Sequence, residues 1–147
     1  MPVTLLDVNV LVALFWRPHR HHAMVQGWFH ENERRGWATC PMTQAAFVRI
    51  VSNPAFSESA PRPAQALALL QANLHSKHHR FLADDLSLPD ALIQVGSRIL
   101  GHLQITDAYL LALAMHHGVA LVTLDRGLVD LLPEDERQAG HVVLLSD

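Results

Sequence analysis

Apolar positions fall along the chain in short blocks, and the spacing inside each block suggests an element. Val3 to Leu6 is a short apolar run closed by Asp7; it reads as a buried strand, although period alone leaves helix open. Val8 to Trp16 continues as a helix stopped by Arg17-Pro18. Between His19 and Arg35, Met24/Trp28 and Val25/Phe29 recur at i, i+4, which predicts an amphipathic helix ended by Gly36. Trp37 to Cys40 reads as a second strand and Thr43 to Val51 as a helix closed by Ser52-Asn53-Pro54. Phe56 to Arg62 is polar and proline-bounded, hence loop; Pro63 fits the first turn of the next helix, with Leu67, Leu70 and Leu74 as its apolar stripe. A third strand is expected at Arg80 to Ala83, a loop at Asp84 to Pro89 and a short helix at Asp90 to Ser97. Thr106 to His117 predicts a strongly apolar helix with Thr106 as N-cap and Gly118 as its stop. Val119 to Thr123 reads as the fourth strand, Arg126 to Leu132 as a short helix ended by Pro133, and Val142 to Leu145 as the last strand.

Strands thus alternate with helices throughout, the signature of an α/β fold with a parallel sheet covered on both faces. No repeat, low-complexity tract or long linker divides the chain, so residues 1–147 are expected to form a single domain. No apolar run reaches the roughly 18 residues of a spanning helix. Leu5 to Trp16, interrupted by Asp7 and Asn9, lacks the basic start and small-residue cleavage site of a secretory leader. Cys40 is the only cysteine, so an internal disulfide is excluded and a reduced, cytoplasmic setting is expected. Cys40 itself reads as a buried filler.

In an open parallel sheet, ligands bind at the carboxyl ends of the strands. Asp7 follows the first strand, with Asn9 two residues on, and Asp125 follows the fourth in Thr123-Leu124-Asp125-Arg126. The helix that feeds the fourth strand begins with Thr106-Asp107, at that same edge. Three carboxylates from distant parts of the chain therefore converge beside apolar runs, where an unpaired charge is costly. A divalent cation relieves such a cluster, and hard oxygen ligands suit Mg²⁺ or Mn²⁺. Such an ion can activate water and neutralise a scissile phosphate. Each residue also has a plainer explanation. Asp107 favours the positive end of its helix, and Asp125 suits a turn. Asp7, which interrupts an apolar run, is the hardest to explain without function.

Charge changes this picture. The chain holds 11 basic and 14 acidic residues, a formal net of −3, which excludes the strongly basic surface of a typical DNA-binding module. Setting the three clustered aspartates aside leaves 11 basic against 11 acidic, so RNA remains open as a selectively engaged substrate. Lys77 is the only lysine beside ten arginines, a bias that base composition explains as well as phosphate binding does. There are 11 histidines, clustered at His19/His21/His22, His78-His79 and His116-His117. No distant motif completes a zinc set for any of them, so surface or rim positions are expected.

The blocks LLDVNVLVALF at the start, CPMTQAAFVRIVSNPAF from Cys40 to Phe56, ITDAYLLALA around Asp107 and LVTLDRGL around Asp125 resemble the PIN-domain ribonucleases, and within them the VapC-type toxins of bacterial toxin–antitoxin pairs. The resemblance covers nearly the whole chain, with order and spacing intact. It implies a PIN-like fold, a five-stranded parallel sheet flanked by helices, and Mg²⁺- or Mn²⁺-dependent endonucleolytic cleavage of RNA. Asp7, Asp107 and Asp125 match the family's acidic metal-binding positions. The resemblance further implies a cognate antitoxin protein and a homodimer. Neither a membrane nor an organic cofactor is expected. One departure stands out: where the family commonly has a glutamate, this chain has Gln44, which keeps an oxygen acceptor but not the charge. One firm metal at Asp7 and Asp107, with any second ion weak, is the resulting expectation.

Supporting roles fall to Asn9, which can orient Asp7 or cap the first helix, and to Thr123, which can hydrogen-bond a site carboxylate. Arg49 and Arg126 can contact an RNA phosphate. No side chain is an obvious general base. Two other readings compete. A haloacid-dehalogenase-like phosphatase needs a second aspartate where this chain has Asn9, and a lysine better placed than Lys77. A catalytically degenerate PIN-like module, binding RNA or protein without cleavage, is kept open by Gln44.

Overall fold

The architecture is set by five short strands that never reverse direction. The structure, a computed structural model, describes residues 3–95 and 101–146. In chain order the elements are β1 (Thr4–Leu6), α1 (Val8–Phe15), α2 (His22–Asn32), β2 (Trp37–Thr39), α3 (Pro41–Val51), α4 (Pro63–Leu74), β3 (His79–Phe81), α5 (Leu88–Val95), α6 (Ile105–His116), β4 (Ala120–Thr123) and β5 (Val142–Leu144), with short 3₁₀ turns between some of them. The sheet order is β3-β2-β1-β4-β5, and every pairing is parallel. The chain winds outward from β1 through β2 to β3, then returns to β1's other side to lay down β4 and β5. The winding reverses between β1 and β4, and that reversal is where an open α/β sheet leaves a crevice.

Side chains of the central strands alternate between two cores. Leu5, Ala38 and Leu121 are buried with α5 and α6 on one face. Leu6, Trp37 and Val122 are buried with α1 to α4 on the other. Both faces being covered, the strands read as continuous apolar runs. In α6, Ala108 to Ala114 are all buried, which explains why its sequence is apolar all round. Helix ends follow local chemistry. Gly36 has φ +97°, and a Cβ there would lie 2.8 Å from Val3 Cγ2, so glycine is required where the chain turns into β2. Gly118, at φ +69°, performs the same service after α6.

Several sequence expectations shift. Two members of the expected α4 stripe hold, Leu70 being buried and Leu74 packed on the core, whereas Leu67 is 54% exposed and Ala66 is buried in its place. The second helix begins at His22, because His19 to His21 form a turn in which the His22 amide bonds the His19 carbonyl. The third strand is His79–Phe81, starting one residue and ending two residues earlier than expected. α5 starts at Leu88, and residues 96 and 97 of the expected helix lie outside the described residues. Thr106 is not a cap: a 3₁₀ turn, His102–Gln104, leads into α6 and puts Thr106 inside the first helical turn. The expected helix after Asp125 is a 3₁₀ turn, Arg126–Leu131.

Candidate active site: a carboxylate cleft where the sheet winding reverses

Asp7 stands at the point where β1 ends and α1 begins, and it serves both. Its backbone amide continues the sheet by bonding the Val122 carbonyl at 2.9 Å, and its carbonyl accepts from Val10 and Leu11 as α1 starts. The side chain is 4% exposed. Oδ1 accepts from the Val8 amide at 2.7 Å and Oδ2 from the Thr123 hydroxyl at 2.7 Å. Burial raises the Asp7 pKa, the two hydrogen bonds oppose that rise, and the Asp125 charge adds to it.

Thr123, the last residue of β4, is fully buried and uses every hydrogen-bonding valence of its hydroxyl. It donates to Asp7 and accepts from the Asp125 amide at 3.0 Å and from Asn9 Nδ2 at 3.4 Å. Asn9 Oδ1 in turn accepts from the Leu124 amide at 3.2 Å. The first turn of α1 is thus stitched to the end of β4 by side chains, across the gap where the winding reverses. Asp125 holds its own turn, its Oδ1 accepting from the Gly127 amide at 2.9 Å. That turn role is therefore real; Asp125 is exposed and lies outside the cavity lining, but its charge reaches both Asp7 and Asp107.

Asp107 is the least satisfied of the three. It sits half-buried in the first turn of α6 and, among the described residues, receives no hydrogen bond. Its pKa is raised from 3.8 to about 6, first by burial and then by the charges of Asp7 and Asp125. Asp7 and Asp107 face a common cavity of about 40 Å³, with Met42, Thr43 and Ala46 of α3 on its other wall. Among the described residues, no arginine or lysine pairs with any of the three aspartates. A donor set made of carboxylate oxygens without a counter-charge fits a hard divalent cation such as Mg²⁺ or Mn²⁺.

Gln44 is engaged elsewhere. Its Nε2 donates to Thr39 Oγ1 at 2.9 Å, and Thr39 Oγ1 also bonds His79 Nε2 at 2.7 Å. Thr43 and Ala46, on either side of Gln44, are α3 residues that line the cavity. His79 departs from the expected surface position. Its ring packs against Trp37 at 4.7 Å, and burial, with Arg80 nearby, lowers its pKa. No sequence pattern signals the Gln44–Thr39–His79 chain, because residues 39 and 79 meet only through the pairing of β2 with β3. Arg49, one turn beyond Ala46, and Arg126, next to Asp125, are both exposed. Cys40 is a buried free thiol, as expected of a filler.

The pattern of the PIN domain matches residues 4–131. The chain is 50% identical over 129 residues to ribonuclease VapC38 of Mycobacterium tuberculosis (strain ATCC 25618 / H37Rv), a match that covers 88% of this chain and 89% of that protein. It is 43% identical over 126 residues to ribonuclease VapC39 of the same strain, covering 86% and 91%. Among solved structures, VapBC2 from Rickettsia felis bound to a promoter DNA fragment superposes with a TM-score of 0.66 at 11% identity, over 98% of this chain and 99% of that one. PAE2754 from Pyrobaculum aerophilum superposes with a TM-score of 0.62 at 23% identity, over 96% and 83%.

Proposed function

The chain belongs to the VapC group of the PIN-domain family, and from that premise we propose that it is a divalent-metal-dependent endoribonuclease, the toxin half of a toxin–antitoxin pair. The observation that carries the chemistry is Asp107: a half-buried carboxylate that finds no donor or counter-charge among the described residues, facing Asp7 across a cavity. Asp7 and Asp107 would hold Mg²⁺ or Mn²⁺, with Asp125 completing the set. The ion, when bound, supplies a Lewis acid that polarises the scissile phosphate and makes water nucleophilic at neutral pH.

The chain's own residues supply position. Asp7 is held from two sides, by Val8 and Thr123, so its remaining lone pairs point in a fixed direction. Asn9 locks Thr123 and Leu124, and so keeps the β4 end in register with Asp7. Arg49 and Arg126, exposed at the edges of the cleft's supporting elements, bind flanking phosphates of the RNA. Such contacts fix the strand without reading its sequence. With Gln44 turned to Thr39, one ion binds firmly and a second only weakly. A cognate antitoxin protein covers the cleft in the resting state, the free toxin is a homodimer, and both act in the cytoplasm. No helix among the described residues is long and apolar enough to cross a membrane. No organic cofactor takes part.

The test is cleavage of RNA by the purified chain with Mg²⁺ or Mn²⁺, with EDTA, and with Asp7→Asn. Cleavage only by the wild type with metal is expected; cleavage that survives EDTA or Asp7→Asn overturns the reading. The engaged Gln44 favours one second reading, a module that binds RNA without cutting it. Under that reading wild type with metal leaves RNA intact and Asp107→Ala leaves its affinity unchanged.

A further inference from the structure

We infer that Asp85, His116 and His117 form a second metal site, for a late first-row divalent cation of the Zn²⁺ class, at the end of α6 away from the carboxylate cleft. The three come from two segments that the sequence keeps apart: the loop after β3 and the C-terminus of α6. His117 Nε2 lies 3.0 Å and His116 Nε2 3.4 Å from Asp85 Oδ1, and one ligand atom from each residue lies within 4.8 Å of the others. A tetrahedral ion with bonds of about 2.0–2.1 Å holds its ligand atoms about 3.3 Å apart, so little movement is needed to close on one.

The donor set separates this site from the cleft. Two imidazoles and one carboxylate suit Zn²⁺, whereas an oxygen-only set suits Mg²⁺. Asp84, next in the chain, adds a second negative charge that acts on both Asp85 and His117. The loop bearing the carboxylates is already held: Tyr109 of α6 donates its hydroxyl to the Leu86 carbonyl at 2.7 Å. His117 Nε2 also lies 3.0 Å from the Ala83 carbonyl, a hydrogen bond that ligation through Nε2 would replace, the neutral ring then carrying its proton on Nδ1. The side chains are 41%, 20% and 53% exposed for His116, His117 and Asp85, which leaves a fourth position open to water or another ligand. His116 and His117 lie nine and ten residues beyond Asp107, about 14–15 Å along the helix axis, so the two sites are independent. An ion here would clamp the loop after β3 to the helix that carries Asp107.

The test is calorimetric titration of the full chain with ZnCl₂, in an Asp107→Asn background that weakens the cleft as a competing site. One equivalent of Zn²⁺ is expected to bind, to raise the melting temperature, and to weaken at least tenfold when His116→Ala or Asp85→Asn is added. His22→Ala, in the histidine cluster at the start of α2, is expected to leave it unchanged. His116→Gln guards against a folding defect, since it keeps the helix end polar and should lose Zn²⁺ while keeping the metal-free melting temperature. Zn²⁺ affinity unaltered by His116→Gln, or lost with His22→Ala, overturns the site and leaves an ion pair at a helix terminus.

Discussion

Thr123 donates its hydroxyl to Asp7 Oδ2 at 2.7 Å, joining two residues 116 positions apart at the gap between β1 and β4. The same oxygen accepts from Asn9 and from the Asp125 amide, so one buried hydroxyl fixes one carboxylate of the cleft and the turn that carries another.

Thr123→Val keeps the shape and removes the hydroxyl. It leaves Asp7 and the Asp125 amide short of a partner in a buried place, and is expected to destabilise the chain by about 1–3 kcal/mol in urea unfolding. Loss of this support should also lower metal affinity or cleavage by roughly 10–100-fold. Thr123→Ser, which restores the donor, should recover most of both. Equal metal affinity in the valine and serine variants would show that the hydroxyl does not orient the site.

Asp107→Asn should abolish cleavage and yet stabilise the metal-free protein at neutral pH. The sign is set by its pKa, raised from 3.8 to about 6 in the folded state. Folding is then penalised once the carboxylate ionises, so the penalty is absent below about pH 4, grows through the interval to about 6 and is complete above it. The melting-temperature gap between the variant and the wild type should track that curve. His19 and His79, with pKa values lowered by burial, act oppositely as pH falls, since folding opposes their protonation; they are common to both proteins and cancel in the difference. Saturating Mn²⁺ should close or invert the gap, because the cation binds the ionised form. A gap that is flat from about pH 4 to 8 would place Asp107 in an ordinary solvated setting.

Gln44→Glu tests the second ion. Glutamate cannot donate to Thr39, so the bond from Gln44 Nε2 is lost and a charge is added beside the cleft wall. Calorimetric titration with Mn²⁺ should show one firm site in the wild type and a second, tighter than before, in the variant. Two tight sites already present in the wild type would sink the one-ion reading.

Gly36→Ala is expected to cost about 1–3 kcal/mol, because φ +97° is a conformation reserved for glycine. The added Cβ also meets Val3 Cγ2 at 2.8 Å. Thermal unfolding measures this, and an unchanged melting temperature would show that the entry to β2 relaxes freely.

Much of the site is legible in the sequence because its logic is topological. A parallel sheet places the C-terminal ends of β1 and β4 and the first turn of α6 at one edge, so Asp7, Asp125 and Asp107 can be brought together without coordinates. Asn9 and Thr123 are legible as candidates, but their mutual bond is not, since either could have served a local cap or a plain strand. Hidden from the sequence are the partners chosen by strand pairing and loop path. Gln44 finds Thr39 and, through it, His79. His116 and His117 find Asp85, the distant ligand that no spacing rule could supply. In the α4 stripe, Leu70 and Leu74 are legible from periodicity, but the position taken for Leu67 falls to the neighbouring Ala66.

The span between Asp7 and Thr123 also sets the order in which the parts of the cleft are made during synthesis. A chain that has emerged from the ribosome as far as α4 or α5 has its first aspartate in place but neither β4 nor the hydroxyl that orients it. Pairing of β4 with β1 joins residues more than a hundred positions apart, so the hydroxyl that orients Asp7 arrives long after the aspartate itself. Truncated products and proteolytic fragments ending before residue 123 carry the conspicuous aspartate motif without the hydroxyl that holds its carboxylate.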